Sequence, residues 1–502
     1  MSKVPRSEGD EAKREGHSGV LARHSTDEGG GPSPTGPTGG KDAVGREESK
    51  EDKMPGTSKP ESVSTRLRRI AKLARENPEM VMLTLAHHID DQFLYEAFRR
   101  TRKNGAKGVD GQGAAEYAAN LEENQKTLLN QLKQGTYRAP PVRRVEIPKA
   151  GNKTRPIGIP TFTDKVLQRA VLMVLEAVYE EDFKDFSYGF RPGRSPHQAV
   201  ERLRNDIMAF NGGWVLEADI SDCFGSLSHQ HIKEILDLRV RDGVIRRVVH
   251  KWLKAGVMES GNVWYPEKGS PQGGVISPLI ANIYLHEVLD KWFEEMVQPR
   301  LYGQAKLVRF ADDFVIVFNN PHDAQRVYKV LPQRFAKYGL EIHPEKTRMV
   351  EFGRPRMRDK RGKDSFDFLG FTHYWGRSRK KKWVVKQKTS KKRLQRGLKM
   401  IALWCRANLH MKVSIQHKKL SSKIIGHVNY YGVTGNISSM KKYIHEVKRI
   451  WRSWLDRRSR MRTMPWERFN RLLRRYPLPT ARIVHSIYGK TLSLPFVANP
   501  LT

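Results

Sequence analysis

Apolar positions along the chain change spacing from block to block, and each spacing predicts a different element. Residues 1 to 60 show no periodicity. They are rich in Gly, Ser, Thr, Pro and Glu, cannot bury a core, and are expected to be disordered. From Arg66 to Glu76 and from Met80 to Lys103, apolar residues recur at helical spacing, Leu83, Leu85, Phe93, Leu94 and Phe98 among them. Further helices are expected over Ala114–Lys133 and Thr163–Tyr179. Between these two, Val142–Pro160 reads as a β-hairpin, with β-rich runs flanking a polar, Gly-containing turn. Gly213–Ile220 reads as a strand. After two more helices, Gly269-Ser-Pro-Gln-Gly-Gly-Val-Ile-Ser-Pro278 forms a turn, and Ser277-Pro278 supplies a cap and a first-turn proline to a helix reaching Trp292. In Lys306-Leu-Val-Arg-Phe-Ala-Asp-Asp-Phe-Val-Ile-Val-Phe318, β-branched and aromatic residues flank Asp312-Asp313, which predicts two strands joined by a tight turn. A helix over Pro321–Tyr338 follows.

Charge narrows the choice of partner. The 502 residues carry 91 Lys+Arg against 54 Asp+Glu, a formal net charge of +37, which favours a polyanion: nucleic acid or an anionic membrane surface. No apolar run of about 18 residues predicts a transmembrane helix, and the N-terminus lacks an apolar signal core. Nucleic acid is therefore preferred, with no membrane partner. The two cysteines, Cys223 and Cys405, cannot build a disulfide framework or a four-cysteine zinc site, and a reducing interior fits them. The bases are not spread evenly. From Phe368 to His445 there is no Asp or Glu, while Arg379, Lys380, Lys381 and Lys382, then Lys391, Lys392 and Arg393, form runs. Trp404, His427, Asn429, Tyr430, Tyr431, Trp451 and Trp454 punctuate the following stretch, as base stacking would require. A helical nucleic-acid-binding domain is expected there.

Several residues are candidates for chemistry, each with a plain alternative. Asp312 and Asp313 are either a solvated hairpin tip or a divalent-metal site, because adjacent carboxylates repel unless a cation neutralises them. Asp219 ends the predicted strand, with Asp222 and Phe224 just beyond. Lys149, Lys153 and Arg155 cluster at the Val142–Pro160 tip, which suits either solvent or a polyphosphate. Asn104–Gly111 is a plain loop or a backbone approach to phosphate. In Ser187-Tyr-Gly-Phe-Arg-Pro-Gly-Arg-Ser-Pro-His197 the aromatics contact nucleic acid or pack into the core, and His197 reads as structural.

Taken in order, these motifs resemble the reverse transcriptases encoded by bacterial group II introns. The likeness covers roughly residues 64 to 502 and is carried by Asn104–Gly111, Lys149…Arg155-Pro156, Tyr188-Gly-Phe-Arg-Pro, Asp219-Ile, Gly269-Ser-Pro-Gln-Gly, Phe310-Ala-Asp-Asp and Phe368-Leu-Gly-Phe. The resemblance implies an α+β, right-hand polymerase: fingers and an antiparallel palm over 61–375, a helical thumb and maturase domain over 376–475, and a further maturase segment over 476–502. It implies that Asp219, Asp312 and Asp313 hold two Mg²⁺. Lys149, Arg155 and Gln272 would contact the incoming deoxynucleoside triphosphate, Phe224 would exclude a ribose 2′-hydroxyl, and Lys346 would protonate pyrophosphate. Leu420–Gly432 and Trp466–His485 match the maturase region, which implies binding of intron RNA beside an RNA template, a DNA primer and target DNA, in a bacterial cytoplasm or nucleoid. No cysteine pairs follow for a zinc-bearing HNH endonuclease. Two other readings stay open: a maturase acting only in splicing, and a reverse transcriptase recruited to host defence or DNA repair. The family usually places Tyr where this chain has Phe310.

Overall fold

The computed structural model describes residues 61–148, 154–259, 262–265, 268–269, 273–359, 364–458 and 464–486. The expected disordered tail, and the part of the 476–502 segment after residue 486, lie outside the described residues. The chain begins with α1 (Val63–Glu76), α2 (Asp91–Arg100), α3 (Ala114–Ala119) and α4 (Leu121–Lys133). The expected helix from Met80 starts only at Asp91. Asp90 caps it by accepting from the Phe93 amide at 2.9 Å, and the stretch before it is tied elsewhere. Met82 bridges Val240, while the Asp242 carboxylate accepts from the amides of Leu85 and Ala86 at 2.7 and 2.9 Å. Its other oxygen caps the helix over Gly243–Leu253 through Val244 and Ile245. Helical spacing at 80–90 thus yields to tertiary hydrogen bonds.

β1 (Val142–Pro148) and β2 (Thr154–Ile159) form the expected hairpin, followed by α5 (Phe162–Asp182) and α6 (Pro196–Ala209). Next come β3 (Trp214–Ser221), α7 (Cys223–Ser226), α8 (His229–Asp237), α9 (Gly243–Leu253), β4 (Val257–Glu259) and β5 (Asn262–Trp264). α10 (Ser277–Leu285) continues as a π-helix over His286–Val297. Its cap position is Ile276, so Ser277 lies inside the first turn and does not cap it as expected. β6 (Ala305–Phe310), β7 (Asp313–Phe318), α11 (Pro321–Lys337), β8 (Glu341–Ile342) and β9 (Arg348–Glu351) complete the central part.

Its sheet runs β6-β7-β3, with β8 and β9 on the far side of β3, all antiparallel. Both faces are covered. Leu216, Ala218, Phe314, Ile316 and Phe318 enter one core with α5 and α10, while Val215, Val308, Val315 and Val317 enter a second with α6. Because alternate positions are all buried, these strands read as continuous apolar runs. A second sheet has the order β2-β1-β4-β5.

A third sheet joins β10 (Ser365–Phe368), β11 (Phe371–Arg377) and β12 (Trp383–Thr389). A boundary at residue 376 therefore falls inside β11, and helices begin only with α12 (Lys391–Ala407), α13 (Val413–Tyr431), α14 (Ile437–Asp456) and α15 (Trp466–Arg475). These helices enclose their own core around Ile401, Leu420, Ile424, Val447 and the fully buried Trp451. They dock on the sheets through α13. The Tyr430 hydroxyl donates to Leu369 O at 3.0 Å, its ring stacks on Phe371, and Tyr431 packs on the same ring. His197 Nε2 on α6 donates to Tyr430 O at 2.8 Å, and its ring stacks on His485 with centroids 3.6 Å apart.

Burial and the neighbouring His485 bring the His197 ring down to about 4, so the folded protein holds it neutral. A histidine depressed in the fold contributes stability above its unfolded value of about 6.5 that is lost as pH falls towards 4. His197→Gln keeps a donor and removes the ionisation. Its thermal midpoint, followed by circular dichroism, should therefore fall less steeply than the wild type's between about pH 6.5 and 4; equal slopes would refute this.

Candidate active site

Strand register brings the distant carboxylates together. Asp219 on β3 stands directly opposite Asp313, the first residue of β7. Phe310 of β6 also pairs with Asp313, so the hairpin turn is the dipeptide Ala311-Asp312. Ala311 has φ +56° at a position where glycine is the usual occupant. That left-handed backbone costs about 1 kcal/mol for an L-residue. Gly189 explains why the turn is so tightly held: a Cβ there would lie 2.2 Å from the Ala311 nitrogen. The Tyr188-Gly-Phe-Arg-Pro motif thus lays bare backbone against the turn, with Tyr188 buried and Phe190 exposed.

The carboxylates repel one another. Burial, then the charges of Asp312 and Asp219, push Asp313 up to about 7, and it lies within hydrogen-bonding reach of Asp219. Asp312 is raised by burial and by Asp219, with Arg155 and Lys346 opposing. Lys346 forms an ion pair with Asp219 Oδ2. Backbone geometry delivers it: the His343 amide donates to Asp219 O at 2.8 Å, and the Lys346 amide donates to His343 O at 3.2 Å, turning the chain back over the carboxylate. Behind them, burial and the same aspartates push the Cys223 thiol up to about 12, which makes it an inert neighbour.

Asp219, Asp313 and Lys346 line a cleft of about 260 Å³ with Glu217, Asp367, Lys392 and Arg393. Lys392 and Arg393, expected as RNA contacts within the basic run, therefore face the carboxylates. Glu217 was not anticipated, although it shares a strand face with Asp219; it is bound by Arg348 at 2.8 Å. Arg155 lies on β2 opposite Ile147, with its charge acting on Asp312. Phe224 sits in α7 with 9% of its surface exposed. Lys149, Lys153 and Gln272 lie outside the described residues. Next to Gln272, Gly273 has φ +119°, and a Cβ on it would meet Gly158 O at 2.6 Å, so that loop abuts β2.

The remaining expected RNA contacts divide. Arg379, Lys380, Lys381 and Lys382 are exposed at the β11–β12 turn, on a hairpin and not on a helix, and Lys391 is exposed at the start of α12. Tyr430 and Tyr431 are half-buried, with their rings packed on Phe371 and each other. Among the described residues, no three His, Cys, Asp or Glu side chains already converge as a metal cage. The donor chemistry nevertheless fits a hard divalent cation, since Asp219, Asp312 and Asp313 offer only carboxylate oxygens and are mutually destabilised without positive charge.

An antiparallel sheet carrying this carboxylate pair, with the β2 residue Arg155 acting on Asp312, points to the class of the chain. Residues 147–373 match the family described as reverse transcriptase (RNA-dependent DNA polymerase). The chain belongs to this family. Among individual relatives, it is 35% identical over 289 residues to the group II intron-encoded protein LtrA of Lactococcus lactis subsp. cremoris, covering 56% of this chain and 47% of LtrA. It is 35% identical over 289 residues to protein YkfC of Escherichia coli K12, covering 51% of this chain and 75% of YkfC. Nuclear intron maturase 2 of Arabidopsis thaliana mitochondria is 26% identical over 234 residues, 38% of this chain and 30% of that protein. The chain thus matches about half the length of LtrA.

Divalent metal should act on stability as well as on activity. At about 100 times its dissociation constant, Mg²⁺ should stabilise the wild type by about 2.7 kcal/mol. Asp313→Asn removes one like charge, so the metal-free variant should melt above the metal-free wild type and gain little from Mg²⁺. Thermal denaturation with and without the ion reads both effects, and equal gains in the two proteins would exclude Asp313 as a ligand.

Proposed function

We propose that this chain is an RNA-directed DNA polymerase that also binds a group II intron RNA as its maturase. The observation that carries the first part is the register of Asp219 against Asp313 in a cleft also lined by Lys346, Lys392 and Arg393. In this reading the β1–β2 hairpin belongs to the fingers, the β6-β7-β3 sheet is the palm, and α12–α15 form the thumb and maturase region. Asp219, Asp312 and Asp313 would hold two Mg²⁺, which supply the charge that activates a primer 3′-hydroxyl and neutralises departing pyrophosphate.

The chain's own groups do the rest. Arg155, with Lys149 and Gln272, binds and orients the incoming triphosphate. Phe224 excludes a 2′-hydroxyl from the sugar site. Lys346, beside Asp219, donates a proton to the leaving phosphate. Lys392 and Arg393 neutralise primer-strand phosphates next to the reacting end. The α12 positions Lys392, Arg396, Lys399 and Arg406 are four, three and seven residues apart, so they share one helix face leading away from the cleft. That face suits the phosphates of the template–primer duplex, and the exposed Arg379–Lys382 turn suits intron RNA. No helix among the described residues is long and apolar enough to cross a membrane.

Primer extension on an RNA template with Mg²⁺ tests the polymerase. Wild-type synthesis that disappears in Asp312→Ala is expected; a wild type that binds intron RNA but extends nothing would leave a splicing factor alone. The basic face has its own readout. Arg396→Glu with Lys399→Glu should lower the slope of log affinity against log salt by about 2, since each duplex phosphate contact contributes about 0.9. An unchanged slope would remove α12 from the duplex path.

A further inference from the structure

We infer that Arg309 is a positioning residue for the carboxylate turn, acting through the backbone of Ala311 together with Asp290 and Asn282. The inference rests on the polymerase reading above.

Arg309 is fully buried on β6, inside an otherwise apolar strand. Its guanidinium is used on three sides. Nε and Nη2 bind both oxygens of the equally buried Asp290, Nε to Oδ1 at 2.8 Å and Nη2 to Oδ2 at 2.5 Å. Nη1 donates to Asn282 Oδ1 at 3.0 Å and to Ala311 O at 3.2 Å. Asn282, on α10, in turn donates from Nδ2 to Gly189 O at 2.7 Å. Gly189 is the residue whose bare backbone touches Ala311. The main chain of Arg309 closes the circuit: its amide donates to Phe186 O and its carbonyl accepts from the Tyr188 amide, both at 2.9 Å. Four pieces of the chain therefore converge on one left-handed residue, and the two carboxylates of the turn follow it immediately.

Stability alone is a poor reason for this arrangement. A buried ion pair loses hydration that an apolar pair of equal volume never had, and replacing one with hydrophobic residues is often neutral or stabilising. What an apolar pair cannot do is hold Ala311 O and Asn282 in fixed directions. Burial alone would raise Asp290, but Arg309 and His286 outweigh it and hold the carboxylate below its ordinary range, so the clamp stays charged. The clamp sets where Asp312 and Asp313 point, and a misplacement near 1 Å costs about 10²-fold in rate.

The test is the double variant Arg309→Met with Asp290→Leu. It should melt at or above the wild-type temperature, keep the KM for deoxynucleotide, lose about 10²-fold in kcat, and need more Mg²⁺ for half-maximal rate. Mn²⁺ binding followed by electron paramagnetic resonance without nucleic acid reads the carboxylate geometry separately, and affinity should weaken. Asn282→Ala, which leaves the ion pair in place, should move kcat and Mn²⁺ affinity in the same direction by less. If the double variant does not fold, that single variant decides: wild-type kcat and Mn²⁺ affinity in it overturn the inference. A folded double variant with wild-type kcat and metal requirement overturns it too. If the wild type itself extends no primer, the polymerase reading falls, and an unchanged Mn²⁺ affinity in the double variant rejects the clamp on its own terms.

Discussion

Repulsion between carboxylates gathered at the end of β3 and the β6–β7 turn organises what surrounds them. Each ionised group raises the cost of the next, and burial raises it further. The surrounding elements answer with cations from three directions: Arg155 from the hairpin sheet, Lys346 from the turn hung on β3, and Lys392 and Arg393 from the start of α12. α12 has no acidic residue in its first turn and opens on Lys391, Lys392 and Arg393. Cations at a helix N-terminus work against the helix dipole by about 0.3–1 kcal/mol each. The helix accepts that cost, and its positive end and its side chains face the same cleft as the aspartates. A site short of positive charge has thus drawn three separate parts of the fold to one place.

The central sheet was legible because burial on both faces leaves strands as unbroken apolar runs, with Asp312-Asp313 interrupting one of them. Asp219 was legible only as the end of such a run; its pairing with Asp313 is a matter of register, which sequence does not print. Other expectations failed for physical reasons. Helical spacing from Met80 lost to the Asp242 carboxylate, which is remote in sequence. The basic stretch after Phe368 was read by charge, which hid the alternation of buried Trp383, Val385, Gln387 and Thr389 that marks a strand. Tyr430 and Tyr431 have the composition of a stacking surface, and within the fold their half-buried rings already pack on Phe371.

Arg309 shows a different kind of blindness. Its neighbours Leu307, Val308 and Phe310 make the strand easy to recognise, and one arginine among them reads as noise. Only the fold reveals that this charge is fully enclosed and that its hydrogen bonds reach the turn. A basic residue inside an apolar strand just before a paired-carboxylate turn is the one trace the sequence carries.

The His197–His485 stack has a consequence for biosynthesis. His485 also bridges Val433, and its amide donates to Gly432 O at 2.9 Å, so a short stretch near residue 485 secures the end of α13 against α6. Roughly 290 residues separate the two rings, on the order of 15 to 60 s of ribosomal elongation. α6 emerges long before its clasp exists. The nascent chain therefore exposes the apolar surface that α13 will cover for most of translation, and its final closure waits for one of the last described residues to leave the ribosome.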